Sequence, residues 1–91
     1  MRTHRALRAL TETVKTYQPR HWTFDSSKVA YFDTETVREW DELYVAFDVL
    51  TESHARNRDT DELHVNEWEW HDWTIRVSMP RGAPTGYEAT A

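Results

Sequence analysis

The residues best suited to chemistry lie in one short stretch, from His64 to Asp72. It contains two imidazoles and three carboxylates, at His64, Glu67, Glu69, His71 and Asp72. On a β-strand, positions 67, 69 and 71 point to the same face and could offer a divalent metal two carboxylates and an imidazole. A metal held there could activate a water for hydrolysis. The spacing matches no zinc signature, however, and the plainer interpretation is the polar outer face of a half-buried strand.

Other nucleophilic or acid–base arrangements have less support. Histidines at positions 4, 21, 54, 64 and 71 could transfer protons near neutral pH, but they are scattered along the chain. None of the serines, at positions 26, 27, 53 and 78, lies in a G-x-S-x-G context. The chain has no cysteine, which excludes a thiol nucleophile, thiolate metal ligands and disulfides. We therefore predict that the chain is not an enzyme and needs no cofactor or metal, with a metal-dependent hydrolase as a remote alternative.

Charge is distributed unevenly along the sequence. Residues 1–20 carry five basic side chains against one acidic, a net charge of +4, whereas residues 21–91 have a net charge of −9. The basic residues on the first predicted helix or directly before it are Arg2, Arg5, Arg8 and Lys15. Such a helix could lie along a phosphate backbone, so nucleic-acid binding is an alternative function. Against it, the remaining −9 would repel the same polymer, and these cations could simply face carboxylates of the same chain.

The acidic stretch from Asp33 to Asp72 is the feature that most favours a function. It holds 13 acidic side chains against three arginines, and tryptophans and tyrosines are interleaved with them. Carboxylates would attract a basic protein surface, and aromatic side chains are the usual energetic anchors of an interface. The predicted partner-binding residues are Asp41, Glu42, Glu67 and Glu69 as charge contacts, with Trp68 or Trp70 as the anchor.

The first third of the chain predicts a helix and a hairpin. Apolar side chains at positions 7, 10, 14 and 17 follow helical spacing, so residues 3–18 are predicted to form an amphipathic helix that Pro19 ends. Residues 21–33 are predicted to form a β-hairpin with Ser26-Ser27 at its turn. That turn gives the cross-strand pairs Asp25–Lys28, Phe24–Val29 and Trp22–Tyr31.

Residues 36–56 fit two patterns. A helix would align positions 37, 40, 44, 47 and 50 in one apolar stripe, whereas a strand would alternate positions 43, 45, 47 and 49. Thr36-x-x-Glu39 has the form of a capping box, and acids near the start with His54, Arg56 and Arg58 near the end suit the helix dipole. Glu52 and Arg56 would also form an i,i+4 pair. We therefore predict a helix, and a strand over 42–51 is the alternative.

The last third predicts a second hairpin and a tail. Residues 57–61 are predicted to be a polar loop. In residues 62–79, a tight turn at His71-Asp72 would create three favourable cross-strand pairs, Trp70–Trp73, Trp68–Ile75 and Glu67–Arg76. A single long strand with a bulge at that dipeptide is the alternative. Residues 80–91 hold both glycines and two of the three prolines, and we predict a flexible C-terminal tail.

Together these elements predict an α+β fold in the order α-β-β-α-β-β, with two helices on one antiparallel sheet of about four strands. Ninety-one residues are enough for one compact domain, which we place at residues 1–79. No apolar leader or membrane-length apolar run is present, so we expect a soluble cytoplasmic protein with no membrane contact. The sequence indicates no oligomeric state.

In size and charge the chain is similar to short acidic inhibitors, immunity proteins, antitoxins and phage-encoded anti-defence proteins. That resemblance extends to general character only and assigns no residues. It implies a protein-binding module that inhibits or imitates the ligand of a basic partner, such as a nuclease or a nucleic-acid-binding protein.

Overall fold

The computed structural model describes residues 2–87, and it contains two helices and a five-stranded sheet. The helices are α1 (Arg2–Tyr17) and α2 (Val37–Thr51). The strands are β1 (His21–Phe24), β2 (Val29–Asp33), β3 (Arg56–Asn57), β4 (Leu63–Trp70) and β5 (Trp73–Pro80). The α+β class and both helices are confirmed. None of the described helices is both long enough and apolar enough to cross a membrane.

The sheet has the order β1-β2-β5-β4-β3 and is mixed, which corrects the predicted all-antiparallel arrangement. Strands β2 and β5 are parallel neighbours, and the other pairs are antiparallel. Helix α2 carries the chain back along the sheet before β3, so β3 runs in the same direction as β2. The two reversals from β3 to β4 and from β4 to β5 then leave β5 parallel to β2.

Helix α1 buries a stripe that differs slightly from the predicted one. Ala6 and Leu10 are fully buried and Val14 packs against the core, whereas Leu7 and Tyr17 lie at the exposed border. The helix ends one residue earlier than predicted: Gln18 takes a left-handed conformation with φ 48° and donates its backbone N–H to the Val14 carbonyl at 2.8 Å. This is the helix-ending geometry that satisfies an otherwise free carbonyl.

The β1–β2 hairpin forms, but its register is one residue away from the prediction. Trp22 pairs with Phe32 and Phe24 with Ala30, not with Tyr31 and Val29. The turn has three residues, because the Asp25 carboxylate accepts the backbone N–H groups of Ser27 (2.9 Å) and Val29 (3.1 Å). Lys28 supplies the left-handed residue, with φ 62°. The resulting register places Ala30 and Phe32 in the core, and a slip of one residue would expose both.

Helix α2 confirms the helical interpretation of residues 36–56 and excludes the strand. Glu39 donates its N–H to Thr36 Oγ1 at 3.2 Å, which is the first bond of the predicted capping box. The Glu39 carboxylate accepts the N–H of Glu35 at 3.2 Å, one residue before the N-cap Thr36, so the reciprocal bond is displaced by one residue. The helix ends at Thr51, with Glu52 left-handed at φ 54°. Arg56 therefore belongs to β3, the predicted Glu52–Arg56 helical pair does not exist, and the last turn of α2 has no basic side chain.

The β4–β5 hairpin has the predicted register at all three pairs, with His71-Asp72 as the turn. The alternative of one bulged strand is therefore wrong. The polar loop predicted at 57–61 begins instead with β3, whose Arg56 lies opposite Glu67 and whose Asn57 lies opposite Asn66. This short edge strand is the fifth strand, which the sequence pattern did not reveal because two exposed polar residues carry no alternation.

The core lies between the helices and one face of the sheet, and aromatic rings dominate it. Phe47 of α2 contacts Phe32 at 5.1 Å and Trp68 at 5.5 Å between ring centroids. Trp68 is 1% exposed, and its indole N–H donates to the Asp48 carboxylate at 2.8 Å. A chain with few aliphatic residues thus obtains its apolar contacts from large rings, each of which removes on the order of 150–250 Å² from water.

The C-terminal segment from Arg81 to Tyr87 crosses the end of the sheet and contacts the start of α2. The carbonyls of Pro84 and Thr85 accept the N–H groups of Val37 (3.0 Å) and Arg38 (2.8 Å), which no turn of α2 could satisfy. Gly86 has φ 76°, and a Cβ there would lie 2.8 Å from Thr36 Cβ. These contacts attach residues 84–87 to α2; the flexibility predicted for 80–91 stays a prediction, and residues 88–91 lie outside the described part.

Candidate functional site

The most distinctive charged surface lies at the end of the sheet where α2 begins. Strand β2 ends there, β5 ends there, and the loop before β4 returns there, because Leu63 pairs with Pro80 and Arg81 donates its N–H to the Glu62 carbonyl at 3.2 Å. We call this region the acidic end. Its carboxylates are Asp33, Glu35, Glu39, Asp41, Glu42, Asp59, Asp61 and Glu62, and its guanidinium groups are Arg20, Arg38, Arg58 and Arg81, which leaves a net charge of −4.

Three carboxylates of the acidic end are already partnered by its arginines. Arg20 contacts Glu35 at 3.0 Å and Arg38 contacts Glu42 at 3.4 Å, both across well-exposed side chains. Arg81 lies 3.8 Å from Asp59. Exposed pairs of this kind contribute little binding or stability, typically about 0–1 kcal/mol, so they can reorganise when a stronger partner arrives.

Tyr87 is an exposed aromatic side chain at the acidic end. It is 55% exposed, and its hydroxyl donates to the Asp41 carboxylate at 2.9 Å. That hydrogen bond, first, and the negative charges of Asp41 and Glu42 raise the pKa of the Tyr87 phenol above its ordinary value. The residue was not among the predicted anchors. A lone aromatic in a Gly- and Pro-rich tail was the one sequence signal that could have indicated it.

The predicted partner-binding residues do not form one surface. Asp41 and Glu42 lie at the acidic end, where Glu42 is exposed. Glu69 and Trp70 lie at the other end of β4, next to the turn, where the Trp70 ring contacts His71 at 4.7 Å between centroids. Trp68 is buried under α2 and cannot contact a partner without unfolding, so it is removed from the set of anchors.

Glu67 is also withdrawn from the surface, although it points to the face of the sheet that the helices leave open. It is 5% exposed, and Arg76 Nε donates to its carboxylate at 2.6 Å while Arg58 Nε lies 3.5 Å away. The hydrogen bond with Glu67 raises the pKa of the Arg76 guanidinium. The Arg76 guanidinium also lies 5.8 Å from the centre of the Tyr31 ring. These groups line a basin of about 510 Å³, and their mutual pairing indicates a structural role.

The possible metal ligands are separated as well. His64 and Glu67 point to opposite faces of β4, and the side chain of His64 contacts Asp59 instead, with Nδ1 3.2 Å from the carboxylate. The backbone N–H of Val65, first, and then His64 hold the pKa of Asp59 below its ordinary value. His71 is exposed in the β4–β5 turn. Among the side chains that the structure describes, from residue 5 to residue 87, no group of three His, Asp or Glu residues could hold a metal ion.

The basic residues of α1 are held apart from the acidic stretch. Arg5, Arg8 and Lys15 are exposed, and Lys15 contacts only Glu12 of the same helix, at 3.7 Å. No ion pair among the described side chains joins α1 to the carboxylates between Asp33 and Asp72. Arg2 is the first residue of α1. Among the described side chains, the cations of α1 thus stay apart from the acidic stretch, whereas Arg20, which also belongs to the basic segment 1–20, pairs with Glu35 of that stretch.

A groove lies between α1 and α2. Its volume is about 620 Å³, and its α1 wall includes the charged residues Arg5, Arg8 and Glu12. On the α2 side, Val45 is 62% exposed and Val49 is 72% exposed.

Comparison with family models, with curated proteins and with solved structures finds no match for this chain. Its function must therefore be inferred from its own geometry.

Proposed function

We propose that this chain is a small protein-binding domain whose acidic end docks on a basic protein. In this role it would inhibit or imitate the natural ligand of a nuclease-like or nucleic-acid-binding partner. The observation that supports the proposal is the segregation of charge: a net −4 is gathered at one end of the sheet, and the cations of α1 form no described ion pair with it.

The contact set follows from exposure and position. Glu42, Asp61 and Glu62 are exposed at the acidic end. Asp41 precedes Glu42 and accepts the hydrogen bond of the Tyr87 hydroxyl. Charges of this kind act mainly on the rate of encounter with an oppositely charged partner. A partner can cover the amphipathic ring of Tyr87, because the ring is exposed and its hydroxyl is oriented by the hydrogen bond to Asp41.

A salt-dependent capture experiment tests the proposal. The immobilised chain is exposed to lysate at about 0.1 M and about 1 M NaCl, where the Debye length falls from about 10 Å to about 3 Å. We expect basic proteins to be retained at low salt only. The association rate of a retained protein is then measured for native chain and for the variant Asp41→Asn/Glu42→Gln/Asp61→Asn/Glu62→Gln.

The expected result is a fall of about tenfold or more in association rate for the fourfold variant, with a smaller change in dissociation rate. Glu69→Gln is the matched control, because Glu69 is an exposed carboxylate at the opposite end of the sheet, and it should leave both rates unchanged. Equal association rates for the native chain and the fourfold variant, or binding that is insensitive to salt, would contradict the proposal.

Nucleic-acid binding through α1 is the second candidate, favoured by the exposure of Arg5 and Arg8 and by their lack of a described ion-pair partner. Gel retardation of a labelled duplex at low salt, with Arg5→Glu/Arg8→Glu as the comparison, separates it from the first candidate. Retardation by the native chain that this variant abolishes would support it. Absence of retardation by the native chain would exclude it.

A further inference from the structure

A small pocket lies at the acidic end, between α2 and the sheet edge that β3 forms. We call it the β3 pocket. Six of its lining residues are aromatic or polar: Trp40, Tyr44, Asn57, Asp59, His64 and Asn66. Its volume is about 290 Å³, at the lower limit of the range of about 300–1,000 Å³ that is typical of small-molecule sites. A pocket of this size suits a single side chain of a partner.

Two aromatic rings of α2 form one wall of the β3 pocket. Trp40 and Tyr44 are four residues apart, so they lie on the same side of the helix. Their ring centroids are 5.0 Å apart, the angle between the ring planes is 37°, and both side chains are half-buried. The face of an aromatic ring attracts Lys and Arg cations, and tryptophan attracts them most strongly. This wall therefore favours a cation over an anion.

Two neighbouring side chains of β4 line the pocket from the face of the sheet that the helices cover. Asn66 is 8% exposed, and no described hydrogen bond uses its side-chain amide. Because buried amides normally have a partner, this one is available to a group that enters the pocket. His64 Nδ1 lies 3.2 Å from the Asp59 carboxylate, which can only accept, so Nδ1 carries the proton and Nε2 of the neutral ring is an acceptor.

Asp59 supplies the negative charge of the β3 pocket. Its Oδ1 accepts the N–H of Val65 at 2.8 Å, and its Oδ2 contacts His64. Arg81 Nη2 lies 3.8 Å from Oδ2, because the Arg81 guanidinium donates instead to the Thr60 carbonyl, at 3.0 Å from Nε and 2.9 Å from Nη2. A carboxylate can accept about four hydrogen bonds, so about two positions on Asp59 stay open to an incoming donor.

We propose that the β3 pocket holds one arginine side chain of the basic protein that docks on the acidic end, an inference that rests on the function proposed above. The guanidinium lies against the Trp40 ring and donates to the Asp59 carboxylate and to the Asn66 amide oxygen. Asp61 and Glu62, two and three residues after Asp59, are exposed and add negative charge beside it.

The chemistry of the pocket selects arginine among the cationic side chains. A guanidinium is planar, always charged and able only to donate, with five N–H groups in a rigid fork. It can stack on an aromatic ring and bind a carboxylate at the same time, whereas a lysine ammonium is a compact charge that cannot stack. An arginine that enters an aromatic pocket is also a usual energetic anchor of a protein interface.

Titration of the isotope-labelled chain with N-acetyl-arginine methylamide tests the proposal without any protein partner. The Trp40 indole N–H is buried without a described hydrogen-bond partner, so its signal in a proton–nitrogen spectrum, assigned with Trp40→Phe, reports on contact with the ring. We expect saturable shifts of this signal and of the Asn66 amide signals, with a dissociation constant on the order of millimolar. N-acetyl-citrulline methylamide, which ends in a planar but uncharged group, should bind about tenfold more weakly or less tightly still.

Two variants and a matched control locate the site. Asn66→Leu keeps the side-chain volume but removes the amide, and it should weaken arginine binding by about fivefold. Asp59→Asn should weaken it by about tenfold, because it removes the charge that the guanidinium contacts. Asp61→Asn removes the same charge from the same loop without lining the pocket, so it should weaken binding by less than about twofold. Circular dichroism checks that each variant is folded, and a folded lining variant suffices for the test.

The outcomes separate this inference from the proposed function. Saturable arginine binding that the lining variants weaken would support the pocket, whether or not a lysate yields a basic protein. The proposal would be overturned by absence of saturable shifts up to about 50 mM ligand, by equal binding of the citrulline compound, or by equal effects of Asp59→Asn and Asp61→Asn. Salt-dependent capture of a basic protein by a chain that binds no arginine compound would retain the proposed function and reject this inference.

Discussion

The two faces of the sheet bury side chains by different physics, and neighbouring residues of β4 show the contrast. Trp68 faces the helices and is 1% exposed, and Glu67 faces the open side and is 5% exposed. Trp68 contacts Tyr44 and Phe47 of α2 and needs one hydrogen bond, which Asp48 provides at 2.8 Å. Glu67 has no helix above it and is covered only by its neighbours on the sheet, chiefly Arg76 and Arg58.

This contrast between apolar packing and a charge network determines which face of the sheet tolerates substitutions. On the covered face, stability comes from apolar area and close packing, which fall when a cavity opens. On the open face, it comes from a charge network whose arginine side chains are about half exposed, 44% for Arg76 and 54% for Arg58. Water can replace part of that network, so its removal should cost less than the loss of an aromatic ring.

Among the variants that test the difference between the two faces, Trp68→Ala should cause the largest loss of stability. It removes the largest fully buried side chain of the described residues and leaves a cavity against Phe47, at an expected cost of about 3–5 kcal/mol. A domain of this length has a total stability of about 5–13 kcal/mol, so the variant should be largely unfolded or close to it. Urea unfolding followed by circular dichroism measures the loss. Trp68→Phe, which keeps a ring but leaves Asp48 without its donor, should lose less than half as much.

Glu67→Gln should have the second largest effect. It leaves two guanidinium groups facing each other without an anion, and because both are partly hydrated we expect a loss of about 1–2 kcal/mol. Glu69→Gln on the same face is the matched control, since Glu69 is exposed, and it should change stability by less than about 0.5 kcal/mol.

The dependence of the stability loss on salt concentration separates Glu67→Gln from Trp68→Ala. Raising NaCl to about 1 M should reduce the Glu67→Gln loss and leave the Trp68→Ala loss unchanged, because only the former is electrostatic. Equal losses for Glu67→Gln and Glu69→Gln would show that the open face gains nothing from its buried carboxylate.

Sequence patterns predicted the covered face better than the open one. The β4–β5 register followed from three cross-strand pairs that only one alignment satisfies, and α2 followed from its capping box together with one apolar stripe. In both cases, side chains that must be buried recur at a fixed period. The aromatic character of the core likewise followed from composition, because few aliphatic residues were present to replace the rings.

The features that sequence patterns missed depend on single polar contacts or on a strand too short to show a period. The β1–β2 register depends on the Asp25 carboxylate, which accepts two backbone N–H groups and lengthens the turn by one residue. The parallel β2–β5 pair requires knowing that Arg56 and Asn57 form a strand, since an odd number of strands after α2 sets the direction of β5. The burial of Glu67 depends on Arg58, which no periodic pattern places beside it.

The smallest expected effect lies at Asp59, at the edge where the two faces meet. Asp59 accepts the N–H of Val65, which points to the open face, and contacts His64, which points to the covered face. Because these contacts lower the pKa of Asp59 in the folded chain, its contribution to stability is present above its unfolded pKa of about 3.9 and is lost as the pH falls through the folded value. Asp59→Asn should therefore have a lower urea midpoint of unfolding than the native chain at pH 6, and the two midpoints should converge near pH 2.

The control is Asp61→Asn, which alters a neighbouring exposed carboxylate and should follow the native chain across this range. A constant gap between Asp59→Asn and native midpoints from pH 6 to pH 2 would mean that the contribution of Asp59 does not depend on its charge.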